Sequence, residues 1–252
     1  MKAVLTKLPP LPVVIAQAIL ATAPASATVV TYTIQSSQSA LNISGTFSGF
    51  NFSPQSAGSM TDTFSGSITG DLIGSTLTFG GGSNMNADAN PSAPFLPAVP
   101  DSGDPENYGV AIPAPVNATG AYRRFTLDLP SGAVIHGAPP AGGSTFSITE
   151  GFLDYNAPPA NPPSGTVNFA GRIGVNVSNS NVSITQSGGI ETLTLPVSFT
   201  FTDSGDTVSQ TLDGTLVATR IIPEPSLPLL SVLATAALSF RRLRRPSRCN
   251  CR

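Results

Sequence analysis

The 252-residue chain has no tryptophan, a single histidine (His136) and two cysteines (Cys249 and Cys251). Charged residues are 10% of the whole, against about 25% in ordinary soluble domains. Scarce histidine and cysteine disfavour metal-cluster enzymes, disulfide scaffolds and most acid–base catalysts. Lysine is absent after Lys7. Between Lys7 and Arg241 only Arg123, Arg124, Arg172 and Arg220 are basic, whereas thirteen acidic residues run from Asp62 to Asp213. A lysine-free, acidic middle has no electrostatic footprint for nucleic acid.

What is present is small and hydroxyl-rich. Glycine and proline number 24 each, below the level of low-complexity disorder, and leucine, isoleucine, valine and phenylalanine supply a core. The two ends differ from the middle. At the N-terminus, Lys2 and Lys7 precede the apolar run Leu11–Leu20, and Ala25-Ser26-Ala27 supplies small residues for cleavage. This order predicts a secretory signal peptide, a signal helix over residues 1–27, cut after Ala27 to leave Thr28. The expected partners are the Sec translocon and signal peptidase.

At the C-terminus, Pro223-Glu224-Pro225 precedes the apolar run Ser226–Phe240, followed by Arg241, Arg242, Arg244 and Arg245. The apolar run enters lipid, and the arginines stop it at the cytoplasmic face. As helix, Leu227–Phe240 spans only about 21 Å, short of a hydrocarbon core of about 30 Å, so arginine snorkelling or local thinning must make up the rest. Residues 246–252 then form a cytoplasmic tail, in which Cys249 and Cys251 stay reduced.

These three parts, in this order, resemble the PEP-CTERM sorting signal of Gram-negative bacteria, over residues 223–245. The tail beyond the arginine block departs from the usual pattern. The resemblance implies that Pro223, Glu224 and Pro225 are recognised by the membrane protease exosortase, and that cleavage near them releases or transfers the ectodomain. It also implies an extracellular-matrix or biofilm setting, with exopolysaccharide as a matrix partner and the inner membrane as an intermediate station before the cell surface.

The middle, residues 28–222, reads as an all-β ectodomain. Leu193, Leu195, Val197, Phe199 and Phe201 alternate with Thr192, Thr194, Ser198, Thr200 and Thr202. After the turn Asp203-Ser204-Gly205-Asp206, Val208, Leu212, Leu216 and Ala218 alternate with polar residues. Period-two patterning predicts half-buried strands. Val167–Val177 and Val182–Gln186 extend this to a predicted four-stranded meander over 166–219. Val29–Gln35, Leu41–Phe47, the face Phe64/Ile68/Leu72, and Leu77 with Phe79 predict further strands. The expected architecture is an antiparallel β-sandwich, jelly-roll-like, of nine to eleven strands, with an up-and-down barrel as its rival. Residues 80–120, with Pro91, Pro94, Pro97, Pro100, Pro105, Pro113 and Pro115, are expected to be loop, because proline lacks the ladder donor.

Candidate chemistry is sparse. His136 lacks a nucleophile-elbow context. Asp101, Asp104 and Glu106 cluster in the proline-rich loop as a candidate Ca²⁺ site. Glu150 and Asp154 are a candidate carboxylate pair for glycoside hydrolysis, with Tyr32, Tyr108, Tyr122 and Tyr155 the only tyrosines to build a sugar platform. Asn42, Asn51, Asn117, Asn176 and Asn181 begin Asn-x-Ser/Thr sequences. The expected function is an exported structural or adhesive protein, not an enzyme and needing no cofactor. The alternative is a carbohydrate-binding or carbohydrate-active protein using the proline-rich loops.

Overall fold

The computed structural model describes residues 27–93, 104–135, 144–157, 164–178, 182–205 and 207–222. Among these, the regular structure is β-strand apart from one 3-10 turn at Ser36–Gln38, and strand pairs are antiparallel. No helix among the described residues is long and apolar enough to cross a membrane. The expected signal and transmembrane helices, residues 1–26 and 226–240, lie outside them.

The alternating stretches become strands where the pattern places them. β1 (Thr28–Ile34) and β2 (Ala40–Phe47) bury Val30, Tyr32, Ile34, Leu41 and Ile43. After the short β3 (Phe50–Asn51) and β4 (Ser53–Pro54) comes β5 (Thr61–Ile73), which buries Phe64 and Ile68. β6 (Thr76–Phe79) buries Leu77 and Phe79. β14 (Ile190–Thr202) and β15 (Val208–Ile221) form a continuous hairpin from Ile190–Ile221 to Thr202–Ser209, with the expected inward residues all buried. Asp203 fixes its turn. Burial pushes its carboxyl up, but the Val208, Thr207 and Gly205 N–H groups and the Thr207 hydroxyl outweigh that and hold it below the usual range.

Three expectations need correction, the first being the number of strands, which is fifteen among the described residues rather than nine to eleven. The proline-rich 80–120 segment contains β7 (Asn84–Ala87), β8 (Glu106–Ile112) and the start of β9 (Ala118–Ile135). Its prolines bracket β8 without entering it, so the ladder keeps its donors. The meander has three strands, not four: β13 (Ser183–Ser187) pairs with β14, but Val167–Val177 is broken. Its pieces, β11 (Ser164–Asn168) and β12 (Ile173–Val175), both pair with β10 (Thr145–Asn156). Gly171 takes a left-handed φ of 80° between them, and its N–H bonds the Ile148 carbonyl at 2.7 Å.

The long strands change partners along their length and so wrap one core. β5 pairs with β2 through Thr61–Thr63 and with β1 through Ser67–Leu72, while its other edge passes from β7 to β6. Gly66 sits at the first of these changes, at φ 104°, where a Cβ would lie 2.0 Å from the Asn84 carbonyl oxygen. β15 likewise runs from β2 to β1, and β9 from β8 through β7 to β6. Inside, Phe146 stacks on Phe199 at 4.9 Å between centroids, and Tyr108, Tyr122, Phe125, Phe169 and Phe201 make an edge-rich aromatic cluster. Each such ring contributes about 1.5–3 kcal/mol by burial.

The path of pairs returns on itself through Asn176. Its backbone N–H bonds the Ser144 carbonyl at 2.8 Å, just ahead of β10. Its side-chain Nδ2 donates to the Pro196 carbonyl at 2.9 Å, and its Oδ1 accepts from the Ser198 N–H at 2.8 Å, both on β14. Val177 N–H adds a bond to the Ser198 carbonyl at 2.8 Å. A side-chain amide thus stands where a neighbouring strand's peptide would. Asn176 is fully buried, so in the folded chain this Asn-x-Ser sequence is not open to glycan. Replacing Asn176 with Ala strands the Pro196 and Ser198 groups and is expected to cost about 2–4 kcal/mol in urea unfolding; an unchanged midpoint would show that the closure does not depend on the amide.

The core also holds a carboxyl. Asp62 points inward between Leu41 and Phe64, bonded only by the Thr63 N–H at 2.9 Å, with its Oδ2 unpartnered. Burial, and then the charge of Asp88, push it up to about 8, against the opposing Thr63 bond. The folded state therefore binds a proton that the unfolded chain releases near pH 4. The contribution of Asp62 to stability is expected to be fully present below about pH 4, to be lost as pH rises, and to level off above about pH 8, while that of Asp203 is lost in the opposite direction, as pH falls below the usual carboxylate range. Asp62→Asn should remove the first of these losses and be the more stable protein above pH 7, as read by thermal unfolding across pH.

Candidate functional site

Three of the carboxylates singled out in sequence, Asp104, Glu150 and Asp154, are taken by arginines. Arg124 has a left-handed φ of 51° at a bulge in β9, which turns it outward while Arg123 and Phe125 stay buried. There its guanidinium binds Asp104, and Glu150 at 3.1 Å. These bonds, that from Asp104 first, raise its already high pKa. Asp154 is buried instead: Arg123 Nε donates to it at 2.5 Å and the Thr166 hydroxyl at 2.5 Å. Register shifts between Ile148 and Phe152 separate the two settings. Glu150 and Asp154 therefore occupy different environments, one exposed and one closed.

Glu106 opens β8 in register with Arg123, whereas Asp101 lies outside the described residues. Among the described residues no three His, Cys, Asp or Glu side chains gather as a metal site. Tyr32, Tyr108 and Tyr122 are buried, and Tyr155 is half-buried, with its ring 5.3 Å from that of Phe47. His136, Ala25, Pro223, Glu224, Pro225, Arg241, Arg242, Arg244 and Arg245 lie outside the described residues; Ala27 directly precedes β1.

A different site lies at the end where the described chain starts and finishes. β1 pairs with β15 only at Thr33–Thr219 and Ile34–Ala218. Towards Thr28 it follows β5 instead, and β15 continues with β14 to Ile221. The two strands splay around an open groove of about 780 Å³ lined by Thr28, Val29, Thr31, Ile190, Arg220 and Ile221. Ile190 and Ile221 are cross-strand partners on its wall.

Under the groove lies a three-residue network. Arg220 binds Glu191 through Nε at 2.9 Å and Nη2 at 3.0 Å. The Tyr32 hydroxyl donates to the same Glu191 oxygen, and the guanidinium lies 5.4 Å from the Tyr32 ring centroid. Tyr32 is pushed well above its ordinary value by burial and then by Glu191. Glu191 raises Arg220 in turn. The charges satisfy each other, so the groove offers outside ligands apolar walls and hydroxyls. One trace of it was visible in sequence: Glu191 is the only acid between Asp154 and Asp203, and Arg220 the only base between Arg172 and Arg241.

Glu191→Gln leaves the arginine charge in a largely closed site without its carboxylate. It is expected to cost about 1–3 kcal/mol by urea unfolding. The double change Glu191→Leu with Arg220→Met should recover part of that loss; equal losses in both would mean that the pair's charge is not what matters.

No family model, curated protein or solved structure matches this chain.

Proposed function

We propose that this chain is an exported protein held at a membrane by its C-terminal tail, with the β-body displayed outside as a structural or adhesive component of a cell surface or matrix. The observation that carries the reading is the shared position of the two ends of the body. Strand structure starts at Thr28, the residue that the expected signal cleavage leaves, and stops at Ile221, two residues before Pro223. Thr28 and Ile221 line one groove, so both flanking address segments leave from the same end. A body attached at one end projects the rest of its surface away from the membrane.

That surface suits display. The body is sandwich-like, with long strands wrapped about a common core, and its outer faces carry hydroxyls such as Thr200 and Thr211, 2.8 Å apart across the hairpin. Burying apolar side chains inward and facing hydroxyls outward keeps such a surface hydrated. On this reading Sec and signal peptidase handle residues 1–27. Residues 226–240 then span the membrane, and exosortase acts at Pro223-Glu224-Pro225.

The test compares host cells with and without exosortase by fractionation and terminal mass spectrometry. With the protease, the mature chain is expected to begin at Thr28 and to lack the arginine block; without it, Arg252 should persist in the membrane fraction. Replacing Pro223, Glu224 and Pro225 with Ala should reproduce the protease-free result. Finding the intact chain from Met1 to Arg252 dissolved in cytosol would overturn the reading.

A further inference from the structure

The end of the body from which the tail departs carries four exposed large apolar side chains, apart from a second exposed row, Ile173, Val175 and Val177, whose Val177 bonds Ser198 far along β14 from Ile190. Val29 is 70% exposed, Ile73 48%, Ile190 47% and Ile221 81%. Val29, Ile190 and Ile221 line the groove together. Ile73 joins them through register: β5 carries Asp71 opposite Val29 and Leu72 opposite Thr28, so Ile73 lies one step further out at the same end. By contrast Phe50 sits at the other end of the hairpin, where Phe47 pairs with both it and Val208. A cluster of large apolar side chains open to water is costly unless something covers it.

The chain beyond Ile222 says what that is. Only Pro223, Glu224 and Pro225 separate Ile222 from the apolar run beginning at Ser226, a reach of at most about 14 Å. Proline's fixed φ stiffens that link. We propose that Val29, Ile73, Ile190 and Ile221 form a foot that seats this end of the β-body in the bilayer leaflet entered by residues 226–240. The proposal rests on the anchored reading above and adds to it an orientation and a second, independent membrane contact. The buried Glu191–Arg220 pair lets the foot meet lipid without presenting an unpaired charge there. Asp71, exposed beside Val29, marks the depth beyond which the foot does not sink.

The test uses the full chain in vesicles of phosphatidylethanolamine and phosphatidylglycerol containing a lipid with brominated acyl chains. Cys249 and Cys251 are changed to Ser, and single fluorophores are placed by Val29→Cys, Ile73→Cys or Phe50→Cys. Bromine quenches only on near contact, so labels at 29 and 73 are expected to be quenched about threefold more than at 50. A glycine–serine spacer inserted between Ile222 and Pro223 separates docking from mere tethering. With a foot, quenching at 29 and 73 persists in the spacer chain; if it falls to the level at 50 while the chain still floats with vesicles, the foot is wrong and the anchor stands. If the chain does not float with vesicles at all, the anchored reading fails and the foot with it. In the spacer chain, Ile190→Ser with Ile221→Ser should abolish quenching at 29 and 73 without moving the melting temperature, both sites being exposed; full retention of quenching would overturn the proposal.

Discussion

The path of strand pairs comes back on itself only if its far strands are joined, and here the join is a buried side-chain amide with one backbone bond beside it, from the Val177 N–H to the Ser198 carbonyl. Asn176 reaches from the segment after β12 to the Pro196 carbonyl and the Ser198 N–H of β14. A peptide strand would make those bonds through its own backbone, but β12 is only three residues long. The amide carries one donor group and one acceptor at a spacing like that of a peptide, so it extends the ladder past the strand's end. The join lies beside Phe199, which stacks on Phe146 and packs against Phe201 in the core.

The same device recurs at several of the places where a strand leaves one partner for another. Ser39, between β1 and β2, donates to the Val217 carbonyl at 3.0 Å and accepts from the Val217 N–H at 2.9 Å. Asp128 takes the Ser83 N–H at 2.8 Å, and the Ser83 hydroxyl accepts the Thr69 N–H at 3.1 Å. Asn107 bonds the carbonyls of Ala87 and Asp88 and the N–H of Phe125, fixing β8 where the proline-rich segment ends. Short polar side chains can imitate a peptide; long charged ones cannot do so without burying a charge. A sequence rich in Ser, Thr, Asn and Asp and almost free of lysine is therefore matched to a shell whose strands repeatedly exchange neighbours.

Much of this was legible in sequence, for a physical reason. Where a strand keeps the same neighbour along its whole length and one buried face, as β14 does beside β15, side-chain period equals backbone period and alternation gives the inward set from Leu193 to Phe201. The pattern fails where polarity and burial part company. Asp62, Asn176, Gln210 and the Arg123–Asp154 pair are polar yet inward, and no period-two rule assigns them there. It fails again at Gly171, where a turn within an apolar stretch moved two pieces onto β10. The terminal groove was not legible because it arises from strands that diverge, Thr28–Tyr32 from Arg220–Ile221, almost two hundred residues apart in the chain. Its one readable trace, the isolated Glu191 and Arg220, became meaningful only once the register placed them opposite each other.

The groove also accounts for why β1 and β15 part where they do. Beyond Thr33–Thr219 the next inward residues are Tyr32 and Arg220, a ring and a guanidinium stacked at 5.4 Å. Past this point the two strands no longer share ladder bonds, and each is held by its other neighbour, β1 by β5 and β15 by β14. Arg220 can lie there only because Glu191, across the hairpin, neutralises it and accepts the Tyr32 hydroxyl as well. The ion pair thus sits where the two strands part, at the end of the body where its first and last strands lie. A fully zipped end would have given Ile221 a second cross-strand neighbour, on β1; with the strands parted, Val29 and Ile221 both stay exposed at the groove.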